Sequence, residues 1–127
     1  MTDLPTDRLL RACGWLGVIA IAVLSLVPGD ARPRVLEVSQ LEHIAAYCAT
    51  AAALAWGYAG GRSALTVGLM LTIYAAALET AQILVPGRTA RVIDVVASAL
   101  GAWVGVGLAV LVRRAIAAAA AAAPRRG

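Results

Sequence analysis

His43, Glu79, Gln82 and Asp94 interrupt stretches of this chain that are otherwise almost wholly apolar. An ionisable side chain held in lipid is costly, so each of these residues marks a candidate functional position. A carboxyl in low dielectric has its proton affinity moved toward neutrality, which would suit Glu79 or His43 to general acid or base work. Imidazole and carboxylates also suit zinc or manganese. The chain has no H-x-x-x-H motif and no Cys pair, so no metal is expected, and no cofactor motif is recognisable. Arg88 and Arg91 adjoin the acidic residues and could grip a phosphate bidentately or rest among lipid headgroups.

The elements that carry these residues follow from composition. A chain of 127 residues with 61% apolar and 14% charged content is not an ordinary soluble domain. Its mean hydropathy of +0.83 agrees. Four segments, residues 9–27, 41–58, 64–85 and 92–112, are apolar over the roughly 17–25 residues that a bilayer crossing needs. They are continuously apolar and rich in Ala and Leu, not alternating as barrel strands would be, so helices are the expected spans. Breakers and charge divide them: Pro28, Gly29 and Asp30, then Gly60, Gly61 and Arg62, then Pro86 and Gly87, and finally Arg113 and Arg114. The expected fold is an all-α membrane protein, a four-transmembrane-helix bundle over residues 1–114 with an Ala-rich tail at 115–127. The alanine run at 117–123 is able to extend the fourth helix beyond the membrane.

Every one of the 11 basic residues is arginine. Arg8, Arg11, Arg62, Arg113, Arg114, Arg125 and Arg126 would share one side, against Arg32, Arg34, Arg88 and Arg91 opposite. That bias favours both termini in the cytoplasm. Trp15, Trp56 and Tyr58 would then lie toward the cytoplasmic interface. The net charge of +4 reflects this anchoring, and no nucleic-acid partner is implied. The first span has Arg8 and Arg11 ahead of it and a small-x-small Gly29, Asp30, Ala31 after it, as a cleavable signal peptide would, but its apolar stretch is long for one. A retained helix is expected. Cys13 and Cys48 should differ too much in depth to pair.

Helical spacing then groups the polar residues. Gly68, Thr72, Ala75, Glu79 and Gln82 share one face of the third span; Asp94, Ser98, Gly101 and Gly105 share one of the fourth. Gly101 and Gly105 form a GxxxG pair, expected to seal the third and fourth helices as an antiparallel hairpin. Gln82 should lie level with Asp94, and Glu79 with Ser98. His43, Tyr47, Thr50, Leu54 and Gly57 share a face of the second span, with His43 close after the long loop. The expected constellation is therefore His43, Tyr47, Glu79, Gln82, Asp94 and Ser98 at the outer end, facing a cleft rimmed by Arg88 and Arg91. A purely structural role is the alternative: Glu79 paired with Arg88, or hydrogen-bonded to Gln82, Tyr47 or Ser98, would fix helix register.

These residues resemble the VanZ-like family, which is built of about four membrane helices. Leu24, Ser25, Leu26 and Pro28 are similar to its first-helix ending, and Ser39 to His43, followed by Tyr47, to its D-K-x-x-H segment. Glu79, Gln82, Pro86, Gly87, Arg88, Asp94 and Gly101 are similar in order and spacing to its E-x-x-Q, P-G-R, D and N-x-x-G motifs. Ser39 and Gln40 stand where the family usually has Asp and Lys, and Ser98 where it usually has Asn. The resemblance implies a multi-pass protein of the bacterial inner membrane, and the family's named member raises resistance to teicoplanin. Three functions are weighed: an accessory that binds membrane lipids or a lipid-linked envelope precursor at the outer leaflet; a small membrane enzyme that modifies such a molecule; and a structural subunit of a membrane complex.

Overall fold

The computed structural model describes residues 5–31, 39–58 and 61–123, with the side chains of Gly61 and Arg62 excepted. Arg32, Arg34, Arg125, Arg126 and the side chain of Arg62, all used in the orientation argument, lie outside the described residues, as does Gly60.

Four α-helices make up the described chain: α1 (Pro5–Leu26), α2 (Ser39–Gly57), α3 (Gly61–Ala81) and α4 (Val92–Ala122). Pro5 opens α1, a position where its missing N–H costs nothing. Approaching Pro86, α3 tightens into a 3-10 turn at Gln82–Leu84 and gives way to extended Val85, the conformation favoured before proline. Val85, Pro86, Gly87 and Arg88 then form a turn closed by Arg88 N–H to Val85 C=O at 3.2 Å. Gly87 has φ +71°, so proline followed by a left-handed glycine gives the chain a type II turn. The alanine run does extend α4, as far as Ala122.

The bundle is packed as membrane proteins are, with small residues inside and large ones outside. Ala51, Ala55, Ala75, Ala102 and Ala109 are buried, whereas Leu16, Ile19, Met70, Ile73, Leu108 and Leu111 are among the large apolar residues left exposed. In water such a surface would drive aggregation; against acyl chains it is the expected exterior. Three helical segments, Pro5–Leu26, Ser63–Leu84 and Val92–Ala122, are long and apolar enough to cross a membrane. The remaining helix, α2, is 19 residues long and carries Gln40, Glu42 and His43 in its opening turns.

The most extensive contact is between α2 and α4, with α1 on α2 and α3 on α4 next. This corrects the expected seam. A side chain at Gly101 would strike the backbone of Ile44, and one at Gly105 the Cys48 carbonyl, so the GxxxG face closes on α2 and not on α3. The reason lies in the side chains between the helices. The Trp103 ring of α4 lies against Gly68 of α3, where an added Cβ would come within 2.9 Å of it, and a ring at that contact keeps the two backbones apart. Opposite Gly101 and Gly105, α2 presents only the main chain of Ile44 and Cys48 and the methyl of Ala51. Chain connectivity makes α3 and α4 neighbours, but residue volume decides which pair comes closest.

Candidate functional site

Five polar residues are buried among those described: Thr50, Glu79, Gln82, Asp94 and Ser98. Thr50 lies in mid-helix against Gly17 of α1. The other four are the residues singled out in the third and fourth spans, with Glu79 7%, Gln82 5%, Asp94 6% and Ser98 3% exposed. All four therefore point into the bundle, not into lipid.

Their partners come from α2 and from the start of α4. The Gln40 amide, in the first turn of α2, donates from Nε2 to Asp94 Oδ1 at 3.0 Å. His43, one turn further along, places Nδ1 3.2 Å from Ser98 Oγ, with donor and acceptor set by the imidazole tautomer. Tyr47, a further turn along and itself buried, has its hydroxyl in hydrogen-bonding reach of Ser98 and close to Tyr74 and Glu79. Gln40, His43 and Tyr47 thus climb one face of α2 at three- and four-residue steps and meet Asp94 and Ser98 at the same spacing on α4.

Glu79 reaches the start of α4, where its Oε1 accepts the backbone N–H of Arg91, the N-cap residue. Unpaired N–H groups and the positive end of the helix dipole draw a carboxylate there. Asp94, in the first turn of α4, benefits from the same field. Both buried acids are accordingly held at one helix N-terminus by main-chain and amide donors.

The two arginines behave differently from each other. Arg88 reaches toward α1. Its guanidinium donates from Nη2 to the carbonyls of Leu24 at 2.8 Å and Ser25 at 2.7 Å, near the end of α1. Gly29 N–H also donates to the Pro86 carbonyl at 3.3 Å, so the turn after α1 docks on the turn after α3. Arg91 is exposed, and its backbone, not its guanidinium, meets Glu79. Only Arg91 is thus placed to offer its charge outward beside the acids.

Sequence reasoning gave Gln40 no role. Its signal was its position three residues before His43, which on a helix puts both side chains on one face. The direct contact of Ser98 with His43, two members of the expected constellation, has no signal in the sequence, because it forms only through the α2–α4 contact. That pair has the composition of a nucleophile and its base, yet Ser98 is sealed between two helices and already engaged with His43 and Tyr47. It is built to join helices. No group of three or more His, Cys, Asp or Glu placed to hold a metal occurs among the described residues.

The geometry ties together the first-helix ending, the opening of α2, the E-x-x-Q pair, the P-G-R turn and the start of α4. The sequence profile of the VanZ/LLP1 family matches residues 20–113, which contain all of these. The chain belongs to the VanZ/LLP1 family. No curated protein and no solved structure matches it. In this VanZ/LLP1 protein the motif residues form two adjoining units. Ser25, Pro86, Gly87 and Arg88 lock α1 to the α3–α4 connection, and Gln40, His43, Tyr47, Glu79, Asp94 and Ser98 form the polar interior beside it.

Proposed function

We propose that this VanZ-like membrane protein crosses the bacterial inner membrane four times, α2 included, with both termini in the cytoplasm. Its polar cluster then opens toward the outer leaflet and binds the head of a lipid-linked envelope molecule. The observation that carries this reading is the gathering of four of the five buried polar side chains at one end of the bundle. If they served register alone, a scatter along the helices would do as well.

In this reading Arg91 meets the ligand's phosphate, a task suited to an exposed planar guanidinium. Glu79, Gln82 and Asp94 hydrogen-bond sugar or peptide groups, and His43 and Tyr47 shape the wall with Ser98. Arg88, tied to the end of α1, positions the connection that carries Arg91. The protein acts as an accessory, and an effect on teicoplanin susceptibility would follow from holding or shielding an envelope precursor.

Mass spectrometry of lipids that co-purify with the protein tests this. A phosphate-bearing polyprenyl lipid enriched over the bulk membrane, and lost in Arg91→Gln, is the expected result. The same lipid complement from wild type, Arg91→Gln and Glu79→Gln would overturn it.

A further inference from the structure

A cleft of about 460 Å³ lies between α1, α2 and α3. Trp15 and Val18 line it from α1, Leu54 from α2, and Val67, Met70 and Leu71 from α3. Its volume is within the range of small-molecule sites. It forms because α1 and α3 touch only sparingly, α1 being held on α2 and α3 chiefly on α4.

The cleft has two unlike ends. At one, Trp15 Nε1 donates to the Tyr58 hydroxyl at 2.9 Å, and Ser63 Oγ donates to the Tyr58 carbonyl at 2.8 Å. The Arg11 guanidinium lies over the Tyr58 ring, 5.0 Å from its centroid. Arg8, exposed and one turn earlier, shares the α1 face of Arg11 and Trp15 by its three- and seven-residue spacing. Indole, phenol and guanidinium together are the usual furniture of a membrane interface. At the other end Tyr74 closes the cleft, its hydroxyl donating to the Val18 carbonyl at 2.7 Å, so only its ring is presented inward.

The depth fits one leaflet. From Ser63 to Tyr74 the rise along α3 is about 16 Å at 1.5 Å per residue. Half of a hydrocarbon core of about 30 Å is nearly the same. Thr66 apart, the walls between Ser63 and Tyr74 are apolar, and among the described residues Arg8 and Arg11 stand at the interfacial end.

We infer that this cleft seats one acyl chain of an anionic phospholipid from the leaflet at the Arg8 and Arg11 end, with the headgroup phosphate beside those arginines. Charge selects the lipid, since a basic side chain at an anionic surface contributes about 1 kcal/mol. Wall shape selects the chain. The basic end of this site lies opposite the polar cluster, and the inference does not depend on the function proposed for that cluster.

Trp15 supplies the probe. In a protein carrying Trp56→Phe and Trp103→Phe it is the only tryptophan left of the three. The protein is reconstituted in phosphatidylcholine vesicles containing either phosphatidylglycerol or phosphatidylcholine with brominated chains, and Trp15 quenching is followed against their mole fraction. Brominated phosphatidylglycerol should reach half-maximal quenching at a mole fraction about five-fold lower, the effect of one basic side chain. Arg8→Gln should move its curve toward that of phosphatidylcholine. Val67→Phe, which fills the cleft, should weaken quenching by phosphatidylglycerol. Coincident curves for the two lipids in the Trp15-only protein would overturn the inference. So would an undiminished preference in Arg8→Gln, whose exposed position makes it tolerable even if Val67→Phe does not fold.

Discussion

Arg88 grips the Ser25 carbonyl twice, from Nη2 at 2.7 Å and from Nε at 3.2 Å, so the α3–α4 connection holds the end of α1. The last carbonyls of a helix lack partners of their own, and in a membrane protein they need a donor. α2 is ended in the same manner. Arg11 donates from Nε to the Gly57 carbonyl at 2.6 Å, and Arg113 from Nη1 to the Trp56 carbonyl at 2.6 Å. Arginines that look in the sequence like topological charge are also caps supplied from other helices, favoured there by the negative end of the helix dipole.

Replacing Arg88 tests that role. Arg88→Ala removes donors to two carbonyls and should lower stability by about 1–3 kcal/mol, as loss of charged hydrogen bonds does. Arg88→Lys should recover only part, because an ammonium lacks the planar fork that reaches Leu24 and Ser25 together. Thermal unfolding of the purified protein in detergent reads both. Equal stability for wild type and Arg88→Ala would show that the α1 end is held by other contacts.

The GxxxG face yields a sharper test, because α4 contains its own control. Gly101→Leu and Gly105→Leu drive a side chain into the Ile44 backbone and the Cys48 carbonyl, and should abolish folded protein. Gly107 has nothing within 4 Å of an added Cβ, so Gly107→Leu should accumulate normally. Size-exclusion profiles of the three variants decide. If Gly105→Leu runs like wild type, the α2–α4 contact is misplaced.

How far the sequence could be read depends on the kind of contact. Periodicity put Glu79, Gln82, Asp94 and Ser98 on inward faces because burying them is a property of a single helix. Choosing the partner of Gly101 required knowing that Trp103 keeps α3 away, which only packing reveals. The same holds for Arg88 and Ser25, 63 positions apart, and for Ser98 and His43, 55 apart. Proline and glycine spacing marked both turns after α1 and α3, but not that Gly29 and Gly87 lie against one another.

Orientation is tested by reporter fusions. A fusion after Arg114 should report from the cytoplasm, and one within residues 28–40 from outside. The reverse pattern would move the polar cluster to the cytoplasmic leaflet and with it the proposed ligand.

Ser98 joins α2 to α4 through both His43 and Tyr47. Ser98→Ala should cost about 1–2 kcal/mol, the upper range for side-chain hydrogen bonds between membrane helices. A double-mutant cycle with His43→Phe should show coupling, since each change removes the same bond. Additive losses would mean that the 3.2 Å approach contributes nothing.

The Gln40–Asp94 bond gives the last test, because position 40 is where this chain differs most informatively from the family pattern. Here a neutral amide meets a buried carboxylate at 3.0 Å, where a lysine would form an ion pair. Gln40→Leu strips the carboxylate of that donor and should destabilise the protein by about 1–3 kcal/mol, the cost of an unsatisfied buried acceptor. Asp94→Asn in the same background should restore much of the loss, because an uncharged amide is cheaper to leave buried without a donor than a carboxylate. Gln40→Lys separates two views of the site. If the acids only fix helix packing, a lysine that pairs with Asp94 should preserve or raise stability and leave any bound lipid in place. If Asp94 recognises a ligand, the lysine should keep the fold but compete for the carboxylate, and the lipid that co-purifies with wild type should be depleted. Unfolding temperature and lipid mass spectrometry on one preparation distinguish these outcomes.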